Sequence, residues 1–153
     1  MIRLERTDSS HPDFVTLVQA LDADLKLRDG DEHDYYAQFN KIDMIQHAIV
    51  AYLDGDAVGC GAIKAFSPSA MEVKRMYVPP VHRGKGIAKQ VLSELECWAG
   101  ELGYQSCVLE TGKKQPEAMG LYHRMGYEVI PNYGQYEGID NSVCFEKQVA
   151  VQH

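Results

Sequence analysis

The hydrophobic and polar positions along this chain follow two periods, which together predict its secondary structure. Period-two alternation and short apolar runs predict strands, and apolar positions three and four residues apart predict helices. The predicted strands cover residues 1–6, 47–53, 57–66, 71–78, 106–110, 127–130 and 142–149. The predicted helices begin near Pro12, Ile87 and Pro116, and a further short helix and loop covers 32–40. The element order is therefore β-α-α-β-β-β-α-β-α-β-β.

Turn residues mark the boundaries of these elements. Asp54-Gly55-Asp56 lies between two apolar runs and is a strong β-hairpin signal. Gly103 follows the last apolar position of the second long helix, where glycine commonly ends a helix. The pattern predicts an α/β fold of the α+β type, with a mixed sheet and helices on both of its faces. A chain of 153 residues is long enough to form one domain, 1–153, around a single core.

Composition and charge narrow the classes of function. The net charge of −7 argues against general nucleic-acid binding, which needs a basic face. No segment approaches the ~18 consecutive apolar residues of a membrane span, and Met1–Arg6 lacks the apolar run of a signal peptide. These features predict a cytoplasmic protein that binds neither nucleic acid nor membrane.

The four cysteines show no C-x-x-C pair and no histidine at metal-ligand spacing. They fall in predicted strands and a helix, where free cysteine behaves as a small buried apolar residue. We therefore expect no disulfide framework and no metal site. The four are Cys60, Cys97, Cys107 and Cys144.

The stretch from the fourth strand into the second long helix predicts a phosphate site. After Met76-Tyr77-Val78 and a proline pair, the turn reads Arg83-Gly84-Lys85-Gly86-Ile87-Ala88. A helix start presents backbone N–H groups and the positive end of the helix dipole, which favour an anion. Glycine lets the backbone approach that anion closely, and Arg83 and Lys85 add charge beside it.

Two known phosphate motifs do not fit this turn. A P-loop needs lysine after its second glycine, where Ile87 stands, and a dinucleotide fingerprint needs a third glycine, where Lys89 stands. The remaining pattern, Arg83-x-x-Gly86-x-Ala88 after a strand, resembles motif A of the GNAT superfamily of acyl-CoA-dependent N-acyltransferases. In that family the turn binds the pyrophosphate of coenzyme A. An ordinary glycine-rich strand-to-helix turn is the alternative interpretation.

The resemblance extends to the order of elements across essentially the whole chain. It implies a central, mostly antiparallel twisted sheet of about seven strands, splayed between strands 4 and 5 and flanked by about four helices. It also implies a bulge in the fourth strand that frees backbone groups near Met76, Tyr77 and Val78 for the pantetheine arm and the acyl carbonyl. Thr111 directly follows the fifth strand at the carboxyl edge of the sheet, where ligands commonly bind.

Two residues are implied as catalytic. Leu121-Tyr122-x-x-x-Gly126-Tyr127 resembles motif B of the superfamily, in which the tyrosine protonates the leaving thiolate. Glu72 lies four residues before Met76, where several members carry a general-base glutamate. The structural alternatives are a packed tyrosine and an ion pair of Glu72 with Lys74 or Arg75, with Glu110 or waters then relaying the proton.

The acceptor pocket is implied to come from the region after the first helix and from the loop before the last strand. Tyr36, Asn40, Tyr133 and Tyr136 supply tyrosines and an amide there, and Glu110 at the end of the fifth strand adds a carboxylate. This mixture suits a small polar amine, held by hydrogen bonds or cation–π contact. The segment 141–147 is also similar to that of small bacterial members of the superfamily.

Together these features predict an N-acetyltransferase that moves the acetyl group of acetyl-CoA to a primary amine. The acceptor is expected to be a small molecule or amino-acid-like, attacking directly in a ternary complex, with acetyl-CoA as co-substrate and no metal. The alternatives are a non-catalytic CoA-binding regulatory module, a larger acyl group, and a peptide or protein acceptor. A regulatory module is expected to lose the motif B tyrosine, so Tyr122 favours an enzyme. The sequence leaves open whether the protein is a monomer or a homodimer.

Overall fold

The computed structural model describes residues 1–29 and 45–151. The strands are β1 (Ile2–Thr7), β2 (His47–Leu53), β3 (Asp56–Ala65), β4 (Ala70–Tyr77), β5 (Ser106–Gly112), β6 (Glu128–Ile130) and β7 (Ser142–Gln148). The α-helices are α1 (Pro12–Asp29), α2 (Ile87–Glu101) and α3 (Pro116–Arg124), with 3-10 turns at Pro80–His82 and Gly134–Tyr136. Every predicted strand is confirmed, with ends that shift by a residue or two. The predicted helix and loop over 32–40 lies outside the described residues.

The seven strands are hydrogen-bonded in the order β1-β2-β3-β4-β5-β7-β6. The pairs β1–β2, β2–β3, β5–β7 and β6–β7 are antiparallel, and β4 pairs with β5 in parallel. The parallel register runs from Ala70 opposite Ser106 to Glu72 opposite Val108, although β4 continues to Tyr77. The structure therefore confirms a mixed, mostly antiparallel sheet of the predicted size.

Contacts group the described chain into two compact units. The first comprises residues 1–64 and 73–96, and the second comprises residues 65–72 and 97–153. Organisation as one domain stays a prediction. In the first unit, α1 packs against one face of β2 and β3, and its buried side chains repeat at helical spacing. The core residues on this face include Phe14, Leu17, Val18, Leu21, Ala48, Val50, Tyr52, Cys60 and Ala62.

The opposite face of β3 carries glycines instead of side chains. A Cβ added at Gly59 would lie 2.7 Å from the Ile87 side chain, and one at Gly61 would lie 2.9 Å from Val91 and from Leu95. Real side chains do not approach so closely, so α2 can pack at this distance only because β3 has glycine there. These two glycines set how closely the first turn of α2 approaches the sheet.

The second unit is built on the long β5–β7 ladder. The pairing runs from Ser106 opposite Gln148 to Gly112 opposite Ser142, and Leu109 and Phe145 are fully buried in it. No helix in the described ranges is long and apolar enough to cross a membrane.

None of the four cysteines, all of which lie in the described ranges, forms a disulfide bond. Cys60, Cys107 and Cys144 are buried, as predicted for small apolar residues. The prediction is wrong for Cys97, which is exposed on α2 and whose Sγ donates a hydrogen bond to Glu101.

Candidate active site

Arg75 interrupts the regular geometry of β4. Its φ of 62° lies in the left-handed region, which non-glycine residues rarely adopt within a strand. The Arg75 carbonyl accepts a hydrogen bond from Cys60 Sγ, and its buried guanidinium lies 3.7 Å from a carboxylate oxygen of Asp22. The irregularity falls in the strand where the resemblance implies a bulge. A regular strand would place the side chains of Glu72 and Met76 on the same face of the sheet. The conformation of Arg75 interrupts that alternation between them.

The turn before α2 combines an anchored helix start with open space. Gly84 and Gly86 have φ values of 82° and 77°, and a Cβ on either would meet no other atom within 4 Å. The Gly86 carbonyl accepts the hydrogen bond of the Gln90 N–H, so the helical ladder begins there. The N–H groups of the first turn have no acceptor within the helix. Because Ile87 is buried, this turn is held firmly while its backbone faces open space.

The two cations of the turn have different surroundings. Arg83 Nε donates a 2.9 Å hydrogen bond to the Val78 carbonyl, and its Nη2 lies 3.9 Å from Asp24. Arg83 thus braces the turn against the end of β4. Lys85 is exposed, with its Nζ 3.4 Å from His82 Nδ1. Of the two, Lys85 is the better placed to meet an incoming phosphate.

The cofactor residues predicted on β4 pack through their side chains. Tyr77 is buried in the core beside α1, and the Met76 sulfur lies next to Gly61 on the opposite face. The role predicted for these residues and for Val78 rests on their backbone groups. The Val78 carbonyl accepts a hydrogen bond from Arg83, and its second lone pair can still accept one from a ligand.

In the second unit, neighbouring strands carry two carboxylates that accept hydrogen bonds from hydroxyl groups. The Tyr133 hydroxyl donates to Oε2 of Glu72 on β4 over 2.8 Å, and Glu72 is only 5% exposed. The Ser142 hydroxyl donates to Oε2 of Glu110 on β5 over 2.7 Å. The parallel register places Glu72 opposite Val108, two residues before Glu110. The second unit therefore contains an acidic pair whose hydroxyl donors belong to Tyr133 and to the first residue of β7.

Aromatic rings surround this acidic pair. The Tyr133 ring lies 4.7 Å from the Phe66 ring and 5.7 Å from the Tyr136 ring, measured between centroids. Burial raises the pKa of Tyr133 and of Tyr136 well above the usual range, and the nearby glutamate charges raise both further. Burial likewise raises the pKa of Cys144 to about 11. These groups are all protonated at neutral pH and can serve as hydrogen-bond donors.

The structure explains the spacing of the motif that contains Tyr122. The Tyr127 N–H donates to the Tyr122 carbonyl and the Gly126 N–H to the His123 carbonyl, which is a Schellman cap closing α3. Gly126 has the positive φ, 91°, that this cap requires. The cap brings the Tyr127 ring within 5.7 Å of the Tyr122 ring. Burial, with a smaller contribution from the charge of Glu110, raises the pKa of Tyr122 above its ordinary value.

The remaining predicted site residues have varied positions. Thr111 is buried in β5. Tyr36 and Asn40 lie outside the described residues. Within the described ranges, no group of three or more histidine, cysteine, aspartate or glutamate side chains could hold a metal ion. The sequence pattern carries no signal for the hydrogen bond that Ser142, the first residue of β7, donates to Glu110.

Comparison with known proteins places this geometry in a family. The sequence profile of the acetyltransferase (GNAT) family matches residues 14–127. The chain is 36% identical to an IAA acetyltransferase of Azospirillum brasilense over 100 residues, which is 65% of each chain. The aligned part thus spans less than two thirds of that relative.

Solved structures extend the likeness to nearly the full length. A protein described as an acyl-CoA N-acyltransferase from Klebsiella pneumoniae superposes with a TM-score of 0.82 and 28% identity, covering 97% of this chain and 98% of that chain. The PaiA N-acetyltransferase of Thermoplasma acidophilum, solved in complex with coenzyme A, shares the fold with a TM-score of 0.71 and 18% identity, covering 97% and 99%. The profile match, over most of the chain, and this fold show that the chain belongs to the GNAT family of acetyltransferases.

Proposed function

We propose that this protein transfers the acetyl group of acetyl-CoA to the primary amine of a small-molecule or amino-acid-like acceptor, by direct attack in a ternary complex. Family membership supports acyl transfer in general. The observation that carries the proposal for this chain is the open glycine turn at the start of α2. It offers an anion several N–H donors and a cation at a place where no side chain stands in the way.

Acetyl-CoA would be held through its pyrophosphate at this turn. The first-turn N–H groups of α2 would donate to the phosphate oxygens, and Lys85 would add a positive charge beside them. Arg83 would either keep its hydrogen bond to Val78 or exchange it for a phosphate oxygen. The bound co-substrate supplies an activated acyl group in the form of a thioester.

Glu72 is the proposed base for the attacking amine. An alkyl ammonium with a pKa near ~10 is mostly protonated at neutral pH and must lose a proton before it can attack. The carboxyl group of Glu72 is buried and accepts a hydrogen bond from the Tyr133 phenol, which fixes its orientation. Glu110 on β5 has the same chemistry, with Ser142 as its donor, and is the alternative base.

Tyr122 is the proposed donor to the leaving thiolate. Because burial raises its pKa, the phenol is protonated at neutral pH and always has a proton to offer. The same rise makes complete transfer to a solvated thiolate unfavourable, at about 1.4 kcal/mol for each pKa unit. Transfer becomes favourable when the sulfur is in equally apolar surroundings, since burial also raises the pKa of a thiol. A hydrogen bond from Tyr122 to the developing thiolate does not require the pKa values of the phenol and the thiol to be similar.

A panel of amines incubated with acetyl-CoA, with thiol release as the readout, tests the proposal. We expect release that depends on both the protein and the amine, together with an acetylated product of matching mass. Release with longer acyl-CoA donors but not with acetyl-CoA would favour the alternative of a larger acyl group. Binding of acetyl-CoA without release for any small amine or peptide would favour a regulatory module.

The proposal also covers the cellular location, the partners and the oligomeric state of the protein. We expect it to act in the cytoplasm, with a small amine as its partner and without nucleic acid. Its oligomeric state in solution, measured by light scattering, decides between a monomer and the homodimer that the sequence left open.

A further inference from the structure

Asn132 organises the loop between β6 and β7 from within. Its Nδ2 lies 3.2 Å from the carbonyl oxygen of Tyr136 and 3.1 Å from those of Ile139 and Ser142. Carbonyl oxygens can only accept hydrogen bonds, so the nitrogen of the amide must face them, and its two protons are shared among the three. One half-buried side chain therefore joins the beginning, the middle and the end of this loop.

Asn132 is linked to both hydroxyl donors of the acidic pair, to one through the chain and to the other through a hydrogen bond. Tyr133, its neighbour in sequence, donates to Glu72, and Ser142, whose carbonyl it binds, donates to Glu110. Tyr136, the third residue involved, packs its ring against that of Tyr133. The position of the Tyr133 hydroxyl at Glu72 thus depends on a loop conformation that Asn132 stabilises.

We propose that Asn132 is a positioning residue for acetyl transfer, which folds the loop over 132–142 so that the Tyr133 hydroxyl reaches Glu72 and orients that carboxylate. The inference rests on the proposed role of Glu72 as the base. Asn132 acts through Tyr133, so removing either side chain has the same consequence at Glu72. A purely structural Asn132 would instead affect stability alone.

A double-mutant cycle with Asn132→Ala and Tyr133→Phe separates these two roles. A hydrogen bond donated to a carboxylate favours its charged form, so its loss moves the acid limb of the kcat/KM profile to higher pH. We expect both single variants to show this displacement and to lower kcat/KM on the order of tenfold, and the double variant to lose no more than either one, because both act on one group. Multiplicative losses, or an acid limb unchanged in a folded Asn132→Ala protein, would overturn the proposal.

Tyr52→Phe is the matched control. It also deletes a tyrosine hydroxyl that donates to a carboxylate, that of Asp13 at 2.6 Å, but on β2. It should lower the melting temperature and keep the wild-type pH profile. If Asn132→Ala shows no cooperative melting transition, Asn132→Ser, which keeps one donor, takes its place in the cycle.

A tyrosinate absorbance titration tests the positioning without any substrate. Burial, reinforced by the charge and the hydrogen bond of Glu72, holds the pKa of Tyr133 far above the usual range. In Asn132→Ala the released loop should expose Tyr133 to water and separate it from Glu72, so we expect one additional tyrosine to ionise at lower pH than in wild type, closer to its ordinary pKa of ~10, and this extra signal to vanish in the double variant with Tyr133→Phe. Identical titrations of wild type and Asn132→Ala would overturn the proposal. If wild type acetylates no amine, the proposed function fails, and this titration alone decides whether Asn132 positions Tyr133.

Discussion

The Tyr133 hydroxyl donates a 2.8 Å hydrogen bond to Oε2 of Glu72, across 61 positions of sequence. A buried carboxylate is costly unless it is hydrogen-bonded, and the phenol supplies a bond without bringing a positive charge. Arg75, one of the two cations that the sequence offers as an ion-pair partner for Glu72, has a guanidinium nitrogen 3.7 Å from a carboxylate oxygen of Asp22. The hydrogen bond from Tyr133 therefore offsets part of the cost of burying the Glu72 carboxyl group.

Glu72→Gln keeps the shape of the side chain and can still accept the Tyr133 hydrogen bond, but it removes the basicity. If Glu72 is the base, kcat/KM should fall at neutral pH and recover partly as the pH approaches the ~10 of a free amine. The pH–rate profile with an identified amine checks this. Glu110→Gln is the matched variant on the neighbouring strand. A profile that responds to Glu110→Gln and not to Glu72→Gln would transfer the role to Glu110, and a change in melting temperature alone would make Glu72 structural.

Tyr122→Phe removes one phenol and keeps a ring that still packs against Tyr127 and Phe145. We expect kcat to fall by ~10²–10⁴-fold, as is typical for loss of a positioned acid, with acetyl-CoA affinity nearly unchanged. Steady-state kinetics and direct titration of the coenzyme measure the two effects. Tyr127→Phe, which deletes a hydroxyl in the same aromatic cluster, should keep the wild-type kcat. Full turnover in Tyr122→Phe would mean that the thiolate departs without this donor.

Gly86→Val should abolish most of the thermal stabilisation that acetyl-CoA confers. A ligand at about 100 times its Kd stabilises a protein by about 2.7 kcal/mol, and a branched side chain in the open turn would block the pyrophosphate. Valine is also strained at a φ of 77°, so the unliganded variant should melt earlier. Gly55→Val provides the control, because Gly55 has a similar φ of 85° and equally open surroundings in the β2–β3 hairpin. An undiminished shift in Gly86→Val would remove the pyrophosphate from this turn.

Tyr52 should make the stability of the protein sensitive to alkaline pH. Burial, assisted by the hydrogen bond to Asp13, raises the pKa of Tyr52 to about 12 from 10.0. The folded state thus favours the neutral phenol, and this contribution is complete below pH ~10 and is lost as the pH rises toward about 12.

Denaturant unfolding at a series of pH values measures this contribution. Tyr52→Phe should lower the free energy of unfolding by about 1–3 kcal/mol at neutral pH, because a hydrogen bond to a charged group is removed. Its loss of stability between pH ~10 and ~12 should be shallower than that of wild type. Parallel curves for the two proteins over that window would contradict the assignment.

Features with a local physical cause were predictable from the sequence. In the hairpin between β2 and β3, Asp54 and Gly55 both have positive φ values, 53° and 85°, as the Asp-Gly pair predicts for a type I′ turn. Gly126 ends α3 with a cap that needs only the conformation of one residue and its nearest neighbours. The glycines of the turn before α2 have the same local character.

Features that depend on distant partners were not predictable. The pattern places Arg83 beside a phosphate but cannot tell that its Nε turns back to the Val78 carbonyl. The positive φ of Arg75 goes against the preference of an arginine, so only its tertiary surroundings impose it. The hydrogen bond between Tyr133 and Glu72 depends on the conformation of a loop that Asn132 stabilises. The hydrophobic periodicity of the sequence does not predict this conformation.

If coenzyme A binds at the turn before α2, as proposed, the packing of Ile87 on Gly59 should make its affinity sensitive to positions inside the core. Any larger residue at position 59 or 61 has to push α2 away from β3, and the displaced first turn would carry its N–H groups with it. In a library of random variants selected only for coenzyme affinity, substitutions at Gly59 and Gly61 should therefore be as rare as substitutions at the exposed glycines of the turn, Gly84 and Gly86. Evolution of the affinity would then be confined to side chains at the mouth of the turn, such as Lys85, which can change without moving the helix.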